Sequence, residues 1–179
     1  MNNSIPIPEG LKVITDWDIL TIRKTWLGWS IIPTAIFTAV WDSFLVFWYM
    51  AALNSPKVPW IMVVFPIGHV AVGVGLTYYV LSCLVNRTDV IISPYNIKVC
   101  TYPLPWLSNR EVPREDILDV ILRPTGEGQR GSAQIIYVGP DNREKKLVTN
   151  IARYEEAEYI IHQIEYSLKI KRKEANIES

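Results

Sequence analysis

The chain has 179 residues, with 18 Lys and Arg against 18 Asp and Glu, and two cysteines. The balance of charge leaves no basic face for nucleic acid. Cys83 and Cys100 are too few and too far apart for a disulfide framework, a CxxC redox site or a zinc site, so both are expected to be reduced.

In chain order, Leu11 to Thr15 and Ile19 to Lys24 read as two short strands around Asp16, Trp17 and Asp18. The first 24 residues are polar and carry no apolar core before a cleavage site. No signal peptide is expected, and the first span is expected to stay in the mature protein. From Thr25 to Ser55 the only charged residue is Asp42, and from Val58 to Val85 there is none. Each run exceeds the roughly 20 apolar residues that cross a ~30 Å hydrocarbon core as a helix. Pro56 and Lys57 link them, so residues 25–85 are predicted to form a two-helix transmembrane hairpin.

Flanking cations set the orientation. Arg23 and Lys24 precede the first span and Arg87 follows the second, with Lys57 alone in the turn. The positive-inside rule predicts a multi-pass protein of the inner (plasma) membrane with both termini cytoplasmic. Trp26 and Trp29 are expected at the inner interface, and Trp48, Tyr49 and Trp60 at the outer one.

Beyond Arg87 the pattern changes to short runs with turn signals between them. Strands are expected over Asp89 to Ser93, Ile97 to Tyr102, Ile117 to Arg123, Ala133 to Val138 and Lys145 to Thr149. The segment from Pro103 to Asn109, with two prolines, interrupts them as a loop. A closing helix carries Ala157, Ile160, Ile161, Ile164 and Leu168 on one face, with Asn150 as its expected N-cap. Glu155 and Glu156 then suit the positive end of its dipole.

An isolated N-terminal hairpin is marginal in water. It gains stability by joining the later sheet, since both lie on one side of the membrane. The expected fold is therefore a membrane α-helical hairpin plus α+β. Two strands, the hairpin, five strands and a helix follow the order of a pleckstrin-homology-like (PH-like) seven-stranded, partly open barrel with a C-terminal helix. The hairpin is then inserted between strands 2 and 3. The expected divisions are residues 1–24 as N-terminal strands, 25–85 as the hairpin, 86–170 as a cytoplasmic PH-like domain and 171–179 as a basic and polar tail.

Several segments carry a family likeness: Trp41 to Tyr49, Phe65 to Tyr79, Asn86 to Thr88, and Pro103 to Trp106 with Asn109. They resemble a family of uncharacterised bacterial two-span membrane proteins with a bacterial PH-like domain. The resemblance covers the chain from Leu11 to Ile170. It implies that fold, and brings no activity with it.

Polarity inside the spans is the main candidate site. Equal depth in an antiparallel hairpin puts Asp42 opposite His69, Thr38 opposite Gly73 and Thr34 opposite Thr77. A charged side chain at mid-bilayer costs about 2.5–3.5 kcal/mol on insertion scales, so such groups turn inward and pair. Asp42 and His69 are expected to hydrogen-bond, with Thr34, Thr38 and Thr77 completing a polar seam. The bland reading is glue between helices; the sharper one is a proton or ion relay in a small membrane enzyme or transport subunit. Gly68, Ala71 and Gly75 offer a second close-packing face, and Pro66 a kink.

Other features are weaker. Gly126 to Gly131 spells GxGxxG but precedes a strand, not a helix, so no nucleotide site is expected. No cofactor and no metal are expected. His162 is read as a surface or packing residue. Lys169, Lys171, Arg172 and Lys173 are either a solvated helix end or contacts to anionic lipid, which makes a lipid-sensing module a further alternative. The acidic Asp16 to Asp18 turn argues against a phosphoinositide-type head-group site. The loop carrying Pro103, Pro105, Trp106 and Asn109 packs under the sheet, dips into the lipid interface or meets a partner. The expected function is non-catalytic: a PH-like interaction or scaffold module tethered to the membrane, with the bilayer and a protein partner or second copy as its contacts.

Overall fold

The computed structural model describes residues 6–125 and 132–169. The glycine-rich loop 126–131 and Lys171, Arg172 and Lys173 lie outside the described residues. In chain order the elements are β1 (Leu11–Asp16), β2 (Ile19–Thr25), α1 (Ile31–Leu53), α2 (Trp60–Val64), α3 (Ile67–Val85), β3 (Arg87–Ile92) and β4 (Asn96–Tyr102). They continue with β5 (Arg110–Pro113), β6 (Asp119–Pro124), β7 (Ala133–Val138), β8 (Glu144–Ile151) and α4 (Tyr154–Leu168). The chain divides into two compact units, Trp26–Asn86 and Met1–Thr25 with Arg87–Ser179.

The strand unit is α+β. β1 to β5 form one antiparallel sheet in sequence order, and β6 to β8 a second. β2 pairs with β3 across the whole inserted helical unit, with Leu20 opposite Ile92 and Thr25 opposite Arg87. Alternation decides which side chains face inward: in β4, Ile97, Val99 and Thr101 are buried while Lys98 is exposed. Ile22, Val90 and Val99 of the first sheet share one core with Ile135, Leu147 and Ile151 of the second. α4 packs on β6, β7 and β8. Its buried stripe is Ala157, Ile160, Ile161, Ile164 and Leu168, at helical spacing.

Side chains tie the two sheets and the helix together. Arg110 of β5 donates to the Lys146 carbonyl of β8. Arg114 donates to the carbonyls of Ile117 and Leu168, both at 3.0 Å. A cation thereby meets the negative end of the α4 dipole, where Lys169 closes the helix in a left-handed conformation.

The helical unit holds two helical stretches long and apolar enough to cross a membrane, Ile31–Leu53 and Trp60–Val85. The second is broken at Phe65 and Pro66, because proline has no N–H to continue the ladder.

Three expectations need correction. There are eight strands among the described residues, not seven, in two sheets that do not close into a barrel. The additional strand is β5, which exists because Arg110 and Val112 pair with Val99 and Ile97. α4 starts at Tyr154 with Arg153 as N-cap, and Asn150 lies within β8. The ladder with β7 runs on to Ile151 opposite Ala133, so the strand claims the position that capping chemistry suggested. The first helix begins at Ile31 rather than Thr25. Thr25 belongs to the β2–β3 ladder, and the Trp26 N–H goes to the Asn86 carbonyl at 3.3 Å.

One buried charge cluster yields a pH prediction. Lys24, 7% exposed, faces Glu156, 5% exposed, at 3.8 Å, and Arg153 donates to the other Glu156 oxygen at 2.8 Å. Burial pushes the Lys24 ammonium below its ordinary value, and Glu156 opposes that shift. The folded chain therefore releases this proton before the unfolded chain does. Between the depressed folded value and the ordinary unfolded one, the unfolded state holds more protons, so this group makes stability rise with pH. Lys24→Met should flatten the dependence of the unfolding midpoint on pH over that window; an unchanged slope would contradict it.

Candidate functional site

α1 turns a seven-residue repeat inward: Ile31, Thr38, Leu45 and Ala52 are buried. A repeat of seven keeps one seam of a helix against an antiparallel neighbour. On α3 the buried positions are Gly73, Ser82 and Cys83. Asp42 fills the space that Gly73 leaves. A Cβ at position 73 would stand 2.5 Å from Asp42 Oδ1 and 3.4 Å from both Leu45 Cδ1 and Trp41 Cδ1. The other carboxylate oxygen of Asp42 accepts the Thr77 hydroxyl at 2.6 Å.

His69 is elsewhere. Its ring stacks on Trp41, with centroids 5.7 Å apart, and tilts against Phe65 at 5.1 Å. The expected Asp42–His69 bond is therefore replaced by Asp42–Thr77. Depth was not the fault, since the Trp41 indole donates to the His69 carbonyl at 3.2 Å. Direction was: side chains lean toward the N-terminus of their own helix, and in an antiparallel pair those leans diverge. Asp42 leans toward the Thr77 end and His69 toward Phe65. Of the expected polar seam, Thr77 does cross to Asp42, whereas the Thr38 hydroxyl turns back onto the Thr34 carbonyl of its own helix at 2.8 Å. With Asp42 and His69 apart, the relay loses its pair.

Three aromatic donors hold the helices together instead. Besides Trp41, the Trp48 indole donates to the Met62 carbonyl at 3.0 Å, and the Tyr49 hydroxyl to the Val63 carbonyl at 3.2 Å. Met62 lies four residues before Pro66, so its carbonyl lacks the usual helical donor. The signal for Trp48 was thus in the sequence: a proline releases one acceptor, and an indole one turn before the hairpin end supplies the donor. Gly68 and Gly75, by contrast, have nothing within 4 Å of a Cβ. A groove of about 640 Å3 runs beside the contact, lined by Leu45, Val46, Val70 and Val74, with Asp42 and Thr77 as polar members.

The strand unit carries a second polar cluster at the end of the sheet where β2 stops and β3 starts. Arg23 and Asp89 form a two-pronged ion pair at 2.9 and 2.8 Å, and the Tyr102 hydroxyl donates to Asp89 at 2.9 Å. Burial, and then that bond, hold the Tyr102 phenol above its ordinary value. Behind them runs a buried hydroxyl chain, Thr88 to Thr101 at 2.9 Å and Thr101 to Ser108 at 2.8 Å. Asn109 accepts the Thr101 N–H at 2.6 Å.

The predicted loop residues are placed by this chain. Pro103 follows a cis peptide bond, Pro103 and Pro105 are exposed, Trp106 is half-buried, and Asn109 bonds inward. Leu107, which is not among those predicted contact residues, is 98% exposed. Among the described residues no group of three or more His, Cys, Asp and Glu could hold a metal ion. No family model matches the chain, and no curated protein matches it.

Two substitutions test the helix contact. Gly73→Ala forces Asp42 away from its seat and should destabilise the helical unit by about 1–3 kcal/mol, as overpacking does. Gly75→Ala, with open space around its Cβ, should leave thermal unfolding in detergent unchanged. Equal effects at the two glycines would contradict the contact. Trp48→Phe removes one donor and should cost about 0.5–1.5 kcal/mol in the same measurement.

Proposed function

We propose that the chain is an integral protein of the bacterial inner (plasma) membrane. Its two apolar helical stretches cross the bilayer as a hairpin and tether a cytoplasmic PH-like interaction or scaffold module, without catalysis of its own. The observation that carries this reading is the outward face of the helices. Phe47 is 71% exposed, and Phe37, Val40, Phe44 and Val74 are exposed beside the same contact. A contiguous apolar surface of that kind needs a partner, and hydrocarbon is the one suited to both helices at once.

Two polar contacts in the helices support it further, because their groups are satisfied within the protein. The Ser43 hydroxyl returns to the Ala39 carbonyl at 2.7 Å, and Asp42 takes Thr77. Hydrocarbon offers no water, so such groups must find partners inside the protein. Arg23, Lys24 and Arg87 against Lys57 support cytoplasmic termini. The PH-like part of the proposal rests on antiparallel sheets followed by a helix packed on the second of them, and on the family resemblance of Trp41 to Tyr49 and Phe65 to Tyr79.

Thiol labelling of intact spheroplasts tests topology. The chain should resist carbonate extraction, with Ser55→Cys labelled from outside and Tyr95→Cys only after lysis. Release by carbonate, or labelling of Tyr95→Cys from outside, would overturn the proposal.

A further inference from the structure

The β4–β5 loop combines an apolar tip with a rigid base. From Pro103 to Asn109 it carries no charge, and among the described residues no large hydrophobic is more exposed than Leu107. A single exposed leucine is ordinary. Here the residue after it is not: Ser108 is buried and bonded to Thr101, and Asn109 holds the Thr101 backbone. Leu107 is therefore presented by a loop pinned to the core on its C-terminal side.

Register gives that tip an address. Tyr102 lies opposite Arg87, and Arg87 opposite Thr25. The loop thus leaves the sheet at the end from which both covalent links to the helical unit depart. The first link continues into Leu27 and Trp29, which are 62% and 88% exposed, the composition of a bilayer boundary. Arg87, also exposed, stands at the same end and suits lipid phosphate. The opposite end of the sheet carries the Asp16–Ile19 and Ser93–Asn96 turns.

We infer that the Pro103–Asn109 loop is an interfacial anchor whose Leu107 side chain enters the boundary between head groups and acyl chains. It gives the strand unit a third point of attachment to the bilayer, besides its two covalent links. The inference rests on the membrane-spanning reading above and adds a lipid contact to it. The occupant is lipid rather than protein because the loop shares its end of the sheet with both chain crossings.

The test uses the full chain in vesicles of phosphatidylethanolamine and phosphatidylglycerol, with Cys83→Ala and Cys100→Ser as background. A nitroxide is attached singly at Leu107→Cys, Tyr95→Cys or Phe47→Cys. Residue 107 should collide with oxygen more than with a water-soluble nickel chelate, and residue 95, at the far turn, should show the reverse. An aqueous pattern at 107, or shielding from both reagents as a protein partner would give, overturns the anchor. The label at 47 separates the two failures: it reports hydrocarbon if only the anchor is wrong, and water if the spanning reading fails as well.

Discussion

The pairing of β2 with β3 is the constraint on which the architecture depends. These strands are neighbours in the sheet yet stand on either side of the entire helical unit. Their ladder runs to its last pair, Thr25 opposite Arg87, where the chain departs and returns. A segment whose two ends are held a strand spacing apart, ~4.8 Å, must come back beside itself. α1 and α3 therefore run antiparallel, and the seven-residue seam of α1 has a partner. The same ladder stabilises β1, which among the described residues pairs only with β2.

Inside the helical unit, specificity comes from a few donors and one missing side chain. Gly73 makes a space, Asp42 enters it, and Thr77 supplies the hydrogen bond. Trp41, Trp48 and Tyr49 then grip carbonyls of the second helical stretch along its first half. These bonds are directional, whereas the surrounding apolar contacts would tolerate sliding. On the proposed membrane reading hydrophobicity adds little between the helices, so small residues and hydrogen bonds have to set the register.

Much of this was legible in the sequence, for reasons that differ between elements. Both helical stretches show because the near-absence of charge over tens of residues is a composition signal, independent of tertiary context. The α4 stripe shows because its period of 3.6 matches one buried face. β5 was not legible: its four residues acquire strand structure only from Val99 and Ile97 beside them. Asn150 misled because capping chemistry is local while the β7–β8 ladder is not. The depth of Asp42 against the second stretch was readable from arithmetic on the turn, but its partner was not, since that follows from where Cβ bonds point. Leu107 could not be singled out from its loop neighbours because exposure is a property of the folded loop.

The strand order also has a consequence for biosynthesis. β1 and β2 are made before the helical unit, but the strands that complete their sheet follow both apolar helical stretches. A lone hairpin of two short strands is marginal in water, so its final pairing has to wait until the helical unit has been made. On the proposed topology that interval is the time of membrane insertion. Closure of Thr25 onto Arg87 then works as a checkpoint: only a chain whose second crossing has returned to the starting side can form it.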